Sequence, residues 1–221
     1  MIPCIVITRD RASYTKRCIE SLTMRGADLE IHIMDHGSTY RPMLDLLEDL
    51  DEHFYVHEAG NRSPRDLWEW PPLRELVGDE PYLVTDPDLV LDPDCPRDWI
   101  EVLHRELQCG TVAKVGLGLR IDDLPDTQLA RDVIKWESSF WLAQERTGAY
   151  RAPVDTTLAM YVPLSERPEF TISPARRLPA PYLARHLPWY GDLDPEETLH
   201  YRTHCRPGAS HWVNGGWRLA P

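Results

Sequence analysis

No apolar run in the sequence approaches the length of a membrane-spanning helix. The first residues, MIPCIVITRDR, also lack the basic-then-apolar order of a signal peptide. A cytoplasmic protein is the expectation. Cysteine is sparse: Cys4, Cys18, Cys95, Cys109 and Cys205 are odd in number, widely spaced and free of any C-x-x-C pair. That argues for reduced, packed thiols over a disulfide framework or a thiolate zinc site. Positive charge is in deficit, with 24 Lys and Arg against 36 Asp and Glu and a formal net charge of -12. A broad basic groove for nucleic acid is therefore disfavoured, leaving only a local cluster such as Arg62, Arg65, Arg176, Arg177 and Arg185 for such a role. Internal repeats and low-complexity linkers are missing as well.

What is present is an alternation of short apolar runs with amphipathic stretches, the pattern of an α/β protein. The 221 residues suffice for one substantial domain, expected over 1–221, with a regular half to about residue 120 and an irregular, proline-punctuated half after it. Strands are expected at Ile5–Ile7, Leu29–Met34, Phe54–Val56, Tyr82–Thr85 and Thr111–Ile121. Helices are expected at Tyr14–Leu22 and Pro42–Leu50, over Leu67–Val77 with a break at Pro71-Pro72, and after Pro96.

In an open α/β sheet, ligands collect beyond the carboxyl ends of the strands. Asp35 closes the second strand, and Asp86 and Asp88 follow the fourth in YLVTDPDLVLDPD. Two carboxylates at alternate positions of an extended segment share a face, and Pro87 stiffens the backbone between them. Such a pair suits Mg²⁺ or Mn²⁺, whose other positions go to water and phosphate oxygens. An Asp-Pro turn closing a strand explains the same residues. The second Asp-Pro-Asp, Asp92 to Asp94, directly precedes a helix, so Asp94 is expected to cap it.

IPCIVITRDRASYTKRCIESL, the strand ending in IMDHGST, Asn61-Arg62 and LVTDPDLVL occur in an order that resembles the GT-A-fold glycosyltransferases, most closely the bacterial family 2-type enzymes. The resemblance covers about residues 1–120. It implies a Rossmann-like GT-A fold: a mixed, mainly parallel sheet flanked by helices, with an acceptor-side region in the second half. It also implies a metal-dependent, hexosyltransferase-like reaction from a nucleotide-diphosphate sugar (a UDP-sugar first) to a glycan, lipid-linked or small-molecule hydroxyl, with inversion the expectation and retention left open. Carried onto this chain, Thr8 and Arg9 line the nucleotide pocket, Asp35 meets the base or ribose, Asp86 lies near the ribose or donor sugar and joins the metal site, and Asp88 ligates Mn²⁺ or Mg²⁺.

The resemblance further implies a third metal ligand from a C-terminal histidine. His186 in ARHLPWY is the candidate, with Arg185 reaching a phosphate and Trp189 stacking on a sugar. Asp155 and Glu137 are the candidates for the general base, Asp155 preferred because it precedes the apolar run Leu158–Val162. His200, His204 and His211 have a zinc-like spacing without supporting context. Two other readings stay open. A nucleotidyltransferase would need a Gly-rich phosphate loop after the first strand, and TRDRASYTKR has no glycine. A non-catalytic sugar- or nucleotide-binding module would bind a donor without turnover.

Overall fold

The computed structural model describes residues 1–25, 28–60, 63–109, 112–167, 169 and 171–205. Asn61, Arg62, Thr111 and His211, each part of an expectation above, lie outside them.

The regular half follows its apolar pattern. Strands β1 (Ile2–Thr8), β2 (Leu29–Asp35), β3 (Tyr55–Glu58) and β4 (Tyr82–Thr85) lie side by side in the order β3-β2-β1-β4, all parallel. Helices α1 (Ala12–Arg25) and α2 (Arg41–Asp51) connect them, with α3 (Leu73–Val77) and a 3-10 turn at Pro64–Glu69 before β4. The strands read as continuous apolar runs because both of their faces are covered. Cys4 and Val6 of β1 face a core made with Cys18, Ile19 and Leu22 of α1 and Met43 of α2. Ile5 and Ile7 face the opposite core, which holds Leu67, Leu73 and Val77. All five cysteines are free, and burial pushes the Cys4 thiol up to about 12, as expected for a packed thiol rather than a nucleophile.

The second half extends the same sheet. Beyond β4 come β9 (Ala159–Tyr161), β6 (Lys114–Gly116), β10 (Ala175–Arg177) and β8 (Tyr150–Arg151). Of these pairings only β6–β10 is parallel. A second sheet, which the sequence pattern does not announce, joins β5 (Leu89–Leu91), β11 (Leu183–His186) and β7 (Gly118–Leu119). The expected single strand over 111–121 is thus two strands in different sheets. Gly118 permits the switch: a Cβ there would stand 2.6 Å from the Leu178 carbonyl oxygen and 2.4 Å from the Trp141 ring. Helices α4 (Trp99–Gln108), α5 (Gln128–Glu137) and α6 (Pro195–His204) complete the chain. Among the described residues no helix is long and apolar enough to cross a membrane.

One pair at the β2/β3 edge predicts a pH dependence. His32 Nδ1 lies 3.0 Å from His57 Nε2, and burial, aided by His57, pushes the His32 pKa down to about 4 from 6.5. Between those values the unfolded chain binds the extra proton, so stability rises with pH through that window. The melting temperature should fall as pH drops from 6.5 to 4. His32→Gln should flatten that slope, read by thermal unfolding at half-unit pH steps.

Candidate functional site

The site forms where β1, β2 and β4 end. β4 delivers Thr85, Asp86, Pro87 and Asp88 into a tight crossing to β5, and β5 pairs antiparallel with β11 so that His186 stands opposite Leu89. Leu187 N–H donates to the Asp88 carbonyl at 2.9 Å, which clamps the two chains at that point. As a result Asp88 Oδ1 lies 3.5 Å from His186 Nε2. Asp88 Oδ1 is buried and accepts no hydrogen bond among the described residues. His186 is buried and packs its ring 4.7 Å from that of Trp189. Burial, with help from the Arg11 charge, pushes the His186 pKa down despite the opposing pull of Asp88. The imidazole is thereby kept neutral, the form that ligates a cation.

Asp86 is held from the second half of the chain. Its N–H donates to the Thr156 carbonyl at 2.9 Å, and the Thr156 hydroxyl donates to Asp86 Oδ2 at 2.7 Å. Burial first, then the negative charges of Asp88 and Asp155, push the Asp86 pKa well up. The Thr156 hydroxyl and the Lys114 charge pull the other way without cancelling the rise. Among the described residues no set of three or more His, Cys, Asp or Glu side chains closes into a metal cage. Asp88 and His186 stand side by side with one buried, unsatisfied carboxylate oxygen between them, a candidate half-site. That fits Mn²⁺ or Mg²⁺ held partly by the protein and partly by a phosphate-bearing ligand and water.

Asp155 is exposed beside this cluster. Its carbonyl accepts from Lys114 Nζ at 2.9 Å and from the Tyr161 hydroxyl at 3.3 Å, while the residue itself is exposed. Lys114, wholly buried, also donates to the Tyr161 hydroxyl at 2.8 Å, and burial pushes its pKa down to about 7. Nothing in the apolar run around Lys114 distinguishes it in the sequence.

Near the β1 end, the Thr8 hydroxyl bonds that of Thr15 at 2.7 Å. Asp35 is turned into its own loop: Oδ2 accepts from Gly37 N–H and Ser38 N–H at 3.2 and 2.9 Å, and Oδ1 accepts from the Ser38 hydroxyl at 2.5 Å. Asp10, with a left-handed φ of 51°, braces the same loops by accepting from Thr39 N–H and Tyr40 N–H at 2.5 and 2.7 Å. Helix α6 lies across this end. Glu197 accepts from Ser13 N–H and the Ser13 hydroxyl at 2.7 and 2.8 Å, His200 Nε2 is 3.0 Å from the Thr39 hydroxyl, and Arg9 donates to the His204 carbonyl at 2.8 Å. Arg11 stacks over the Tyr14 ring at 3.9 Å, with its Nε buried and without a hydrogen-bond partner among the described residues. His200 and His204 therefore do sit on a helix, one turn apart, with rings stacked at 4.0 Å.

Four of the expected residues have structural partners or positions of another kind. Glu137 is buried at the end of α5, its Oε2 2.5 Å from Arg177 Nη1, where no acceptor hydroxyl can reach it. Trp189 is a core residue rather than a stacking platform. Arg185 alternates with His186 on β11, so it points away from the aspartates and is spent on Asp92 Oδ2 at 2.8 Å and Asp123 Oδ2 at 2.6 Å. Asp94 does not cap α4: its side chain is 80% exposed, and no side chain bonds the free N–H groups of that helix from the cap position. Within the basic cluster, Arg176 is committed to Glu106 and Glu145 and Arg177 to Glu137.

The buried member of the second Asp-Pro-Asp is Asp92. Hydrogen bonds from Arg185 and Arg120 hold its carboxyl below the usual range although burial pushes the other way. Asp92→Ala should therefore cost about 2–3 kcal/mol, the scale for a buried charge partner whose mates keep other acids and some water. Asp94→Ala should stay within about 0.5 kcal/mol. Urea unfolding of the two variants separates the roles.

No protein-family model matches the sequence, and no curated protein does. Solved structures do. The mannosyltransferase PcManGT from Pyrobaculum calidifontis, in complex with GDP-Man and Mn²⁺, aligns with a TM-score of 0.56 and 18% identity over 83% of this chain and 56% of that one. GalNAc-T7 with UDP, GalNAc and Mn²⁺ aligns with a TM-score of 0.55 and 9% identity over 84% and 43%. S. aureus TarS 1-349 gives 0.51 and 11% over 91% and 63%. The chain spans only about half the length of these structures. At such identities the likeness is one of fold, and that fold is the GT-A glycosyltransferase fold.

Proposed function

We propose that the chain is a metal-dependent glycosyltransferase that moves a sugar from a nucleotide-diphosphate donor, UDP-linked first among the candidates, to an acceptor hydroxyl. One observation carries the reading. Asp88 Oδ1, buried and unsatisfied, faces His186 Nε2 at 3.5 Å, at the strand ends where this fold collects ligands. The presence of nucleotide, sugar and Mn²⁺ with GalNAc-T7, and of GDP-Man and Mn²⁺ with PcManGT, supports the same assignment.

Asp88 and His186 would hold Mn²⁺ or Mg²⁺, with Asp86 contributing negative charge and contacting the donor. When bound, that cation supplies Lewis-acid stabilisation of the leaving diphosphate. The protein's own groups do the rest. Thr156 fixes the rotamer of Asp86. Arg11, paired with Glu197 at 3.9 Å, sets a partly buried positive charge near His186. Asp155, exposed at the mouth, takes the proton of the acceptor hydroxyl as that oxygen attacks the anomeric carbon from the face opposite the diphosphate, which inverts the centre. Thr8 and Arg9 flank the nucleoside. Asp35 shapes its loop through Gly37 and Ser38, so its part in base or ribose recognition runs through that loop.

Thermal unfolding with UDP and GDP, each with and without Mn²⁺, tests the reading. One nucleotide should raise the melting temperature only when Mn²⁺ is present. No shift with any nucleoside diphosphate at millimolar concentration would overturn the proposal.

A further inference from the structure

Lys114 is the least expected residue in the sheet. It sits in β6 between β9 and β10, in register with Tyr161 and Ala175, and is fully buried. Its neighbours Ala113 and Val115 are ordinary core residues. Lysine is almost never buried completely unless its ammonium is used, since desolvation costs several kcal/mol. Two of its hydrogen bonds meet around Asp155. Nζ donates to the Asp155 carbonyl at 2.9 Å and to the Tyr161 hydroxyl at 2.8 Å, and that hydroxyl also reaches the Asp155 carbonyl at 3.3 Å. One residue on, Thr156 holds Asp86 through both its carbonyl and its hydroxyl.

We propose that Lys114 is a positioning residue: from inside the sheet it pins the Asp155–Thr156 turn, and so fixes both the carboxylate at the mouth and the rotamer of Asp86. The inference rests on the glycosyltransferase reading for the roles of those two aspartates. The pinning itself rests only on the contacts. It does not depend on the charge of the amine, because a neutral amine still has N–H groups to donate to both oxygens. Acting on a backbone carbonyl also explains why a lysine deep in the core can influence an exposed carboxylate without touching it.

A purely structural lysine and a positioning lysine differ in what their loss does. Lys114→Met removes a desolvated ammonium but leaves the Asp155 carbonyl with only the longer bond from the Tyr161 hydroxyl, so its melting temperature should fall modestly while the protein stays folded. The Asp86 amide, whose acceptor is the Thr156 carbonyl, should then exchange with deuterium at least about tenfold faster, the scale for loss of roughly 1.4 kcal/mol of local protection, while the β1 amides keep their rates. Donor turnover should fall at least about tenfold in kcat with donor KM little changed. The loss should also be non-additive with Asp155→Asn, because both changes act on the same group. Tyr161→Phe removes one of the two acceptors and should give a smaller loss in the same parameters, which keeps the test open should the lysine variant not fold.

Unchanged Asp86 exchange in both variants overturns the pinning. Faster exchange with unaltered kcat overturns the functional role. Absence of nucleotide binding by the wild-type protein instead sinks the glycosyltransferase reading, and the exchange rates then decide the pinning alone.

Discussion

Asp88→Ala should abolish the Mn²⁺-dependent rise in melting temperature produced by a nucleoside diphosphate, and lower sugar transfer by at least on the order of 10²–10³-fold, the scale for losing one preorganised group that stabilises charge in the transition state. The expectation follows from where the side chain sits. Asp88 Oδ1 is buried without a hydrogen-bond partner among the described residues, an arrangement that costs free energy unless something else uses the oxygen. His186 Nε2 lies 3.5 Å away, and burial pushes the His186 pKa down. The fold should tolerate the change, because the structural contact at this position is the Asp88 carbonyl accepting from Leu187 N–H. Circular dichroism of the variant should match wild type while nucleotide binding is lost. His186→Ala should weaken Mn²⁺ binding in the same titration. The raised pKa of Asp86 adds a sign: a cation entering beside it competes with a proton, so Mn²⁺ affinity should increase with pH. An Asp88→Ala protein that still shows the full metal-dependent shift would remove the half-site from the mechanism.

The N-terminal strands were legible because a strand covered on both faces must be apolar throughout, and CIVI, IHIM and YLVT have that pattern. The position of Asp86 and Asp88 was legible because they follow such a run directly. The misreadings have a common cause. Arg185 and His186 are adjacent in sequence, but a strand sends adjacent side chains to opposite faces, so one residue joins the aspartates and the other an ion-pair network with Asp92 and Asp123. Their separation depends on β5 pairing with β11, a contact between residues about a hundred positions apart that no local pattern encodes. Trp189 and Glu137 fail similarly: an aromatic or an acid near a site has the same letter whether it faces the ligand or the core. Lys114 left no trace in the sequence because its partners, the Asp155 carbonyl and Tyr161, meet it only across the β6–β9 pairing.

The two acids first considered for the base should part company in opposite directions. Glu137 is buried against Arg177, whose side chain is also buried, and burial pushes the Glu137 pKa up while Arg177 pulls it down. Glu137→Ala strands the guanidinium in the core, so it should cost about 3–5 kcal/mol in urea unfolding. Its kcat at a temperature where the protein stays folded should remain close to wild type. Asp155 offers the mirror image. Its side chain is exposed and its structural bonds are made by its carbonyl, which asparagine retains. Asp155→Asn should therefore leave unfolding unchanged within about 0.5 kcal/mol, yet lower kcat by about 10²–10⁴-fold, the range for loss of a general base, with nucleotide binding intact. Stability and turnover measured on the same two preparations separate the roles without reference to any acceptor, since slow hydrolysis of the donor also needs a base to deprotonate water. A normal hydrolysis rate in Asp155→Asn beside a normal nucleotide-binding shift would move the base elsewhere on the mouth and leave the metal half-site as it stands.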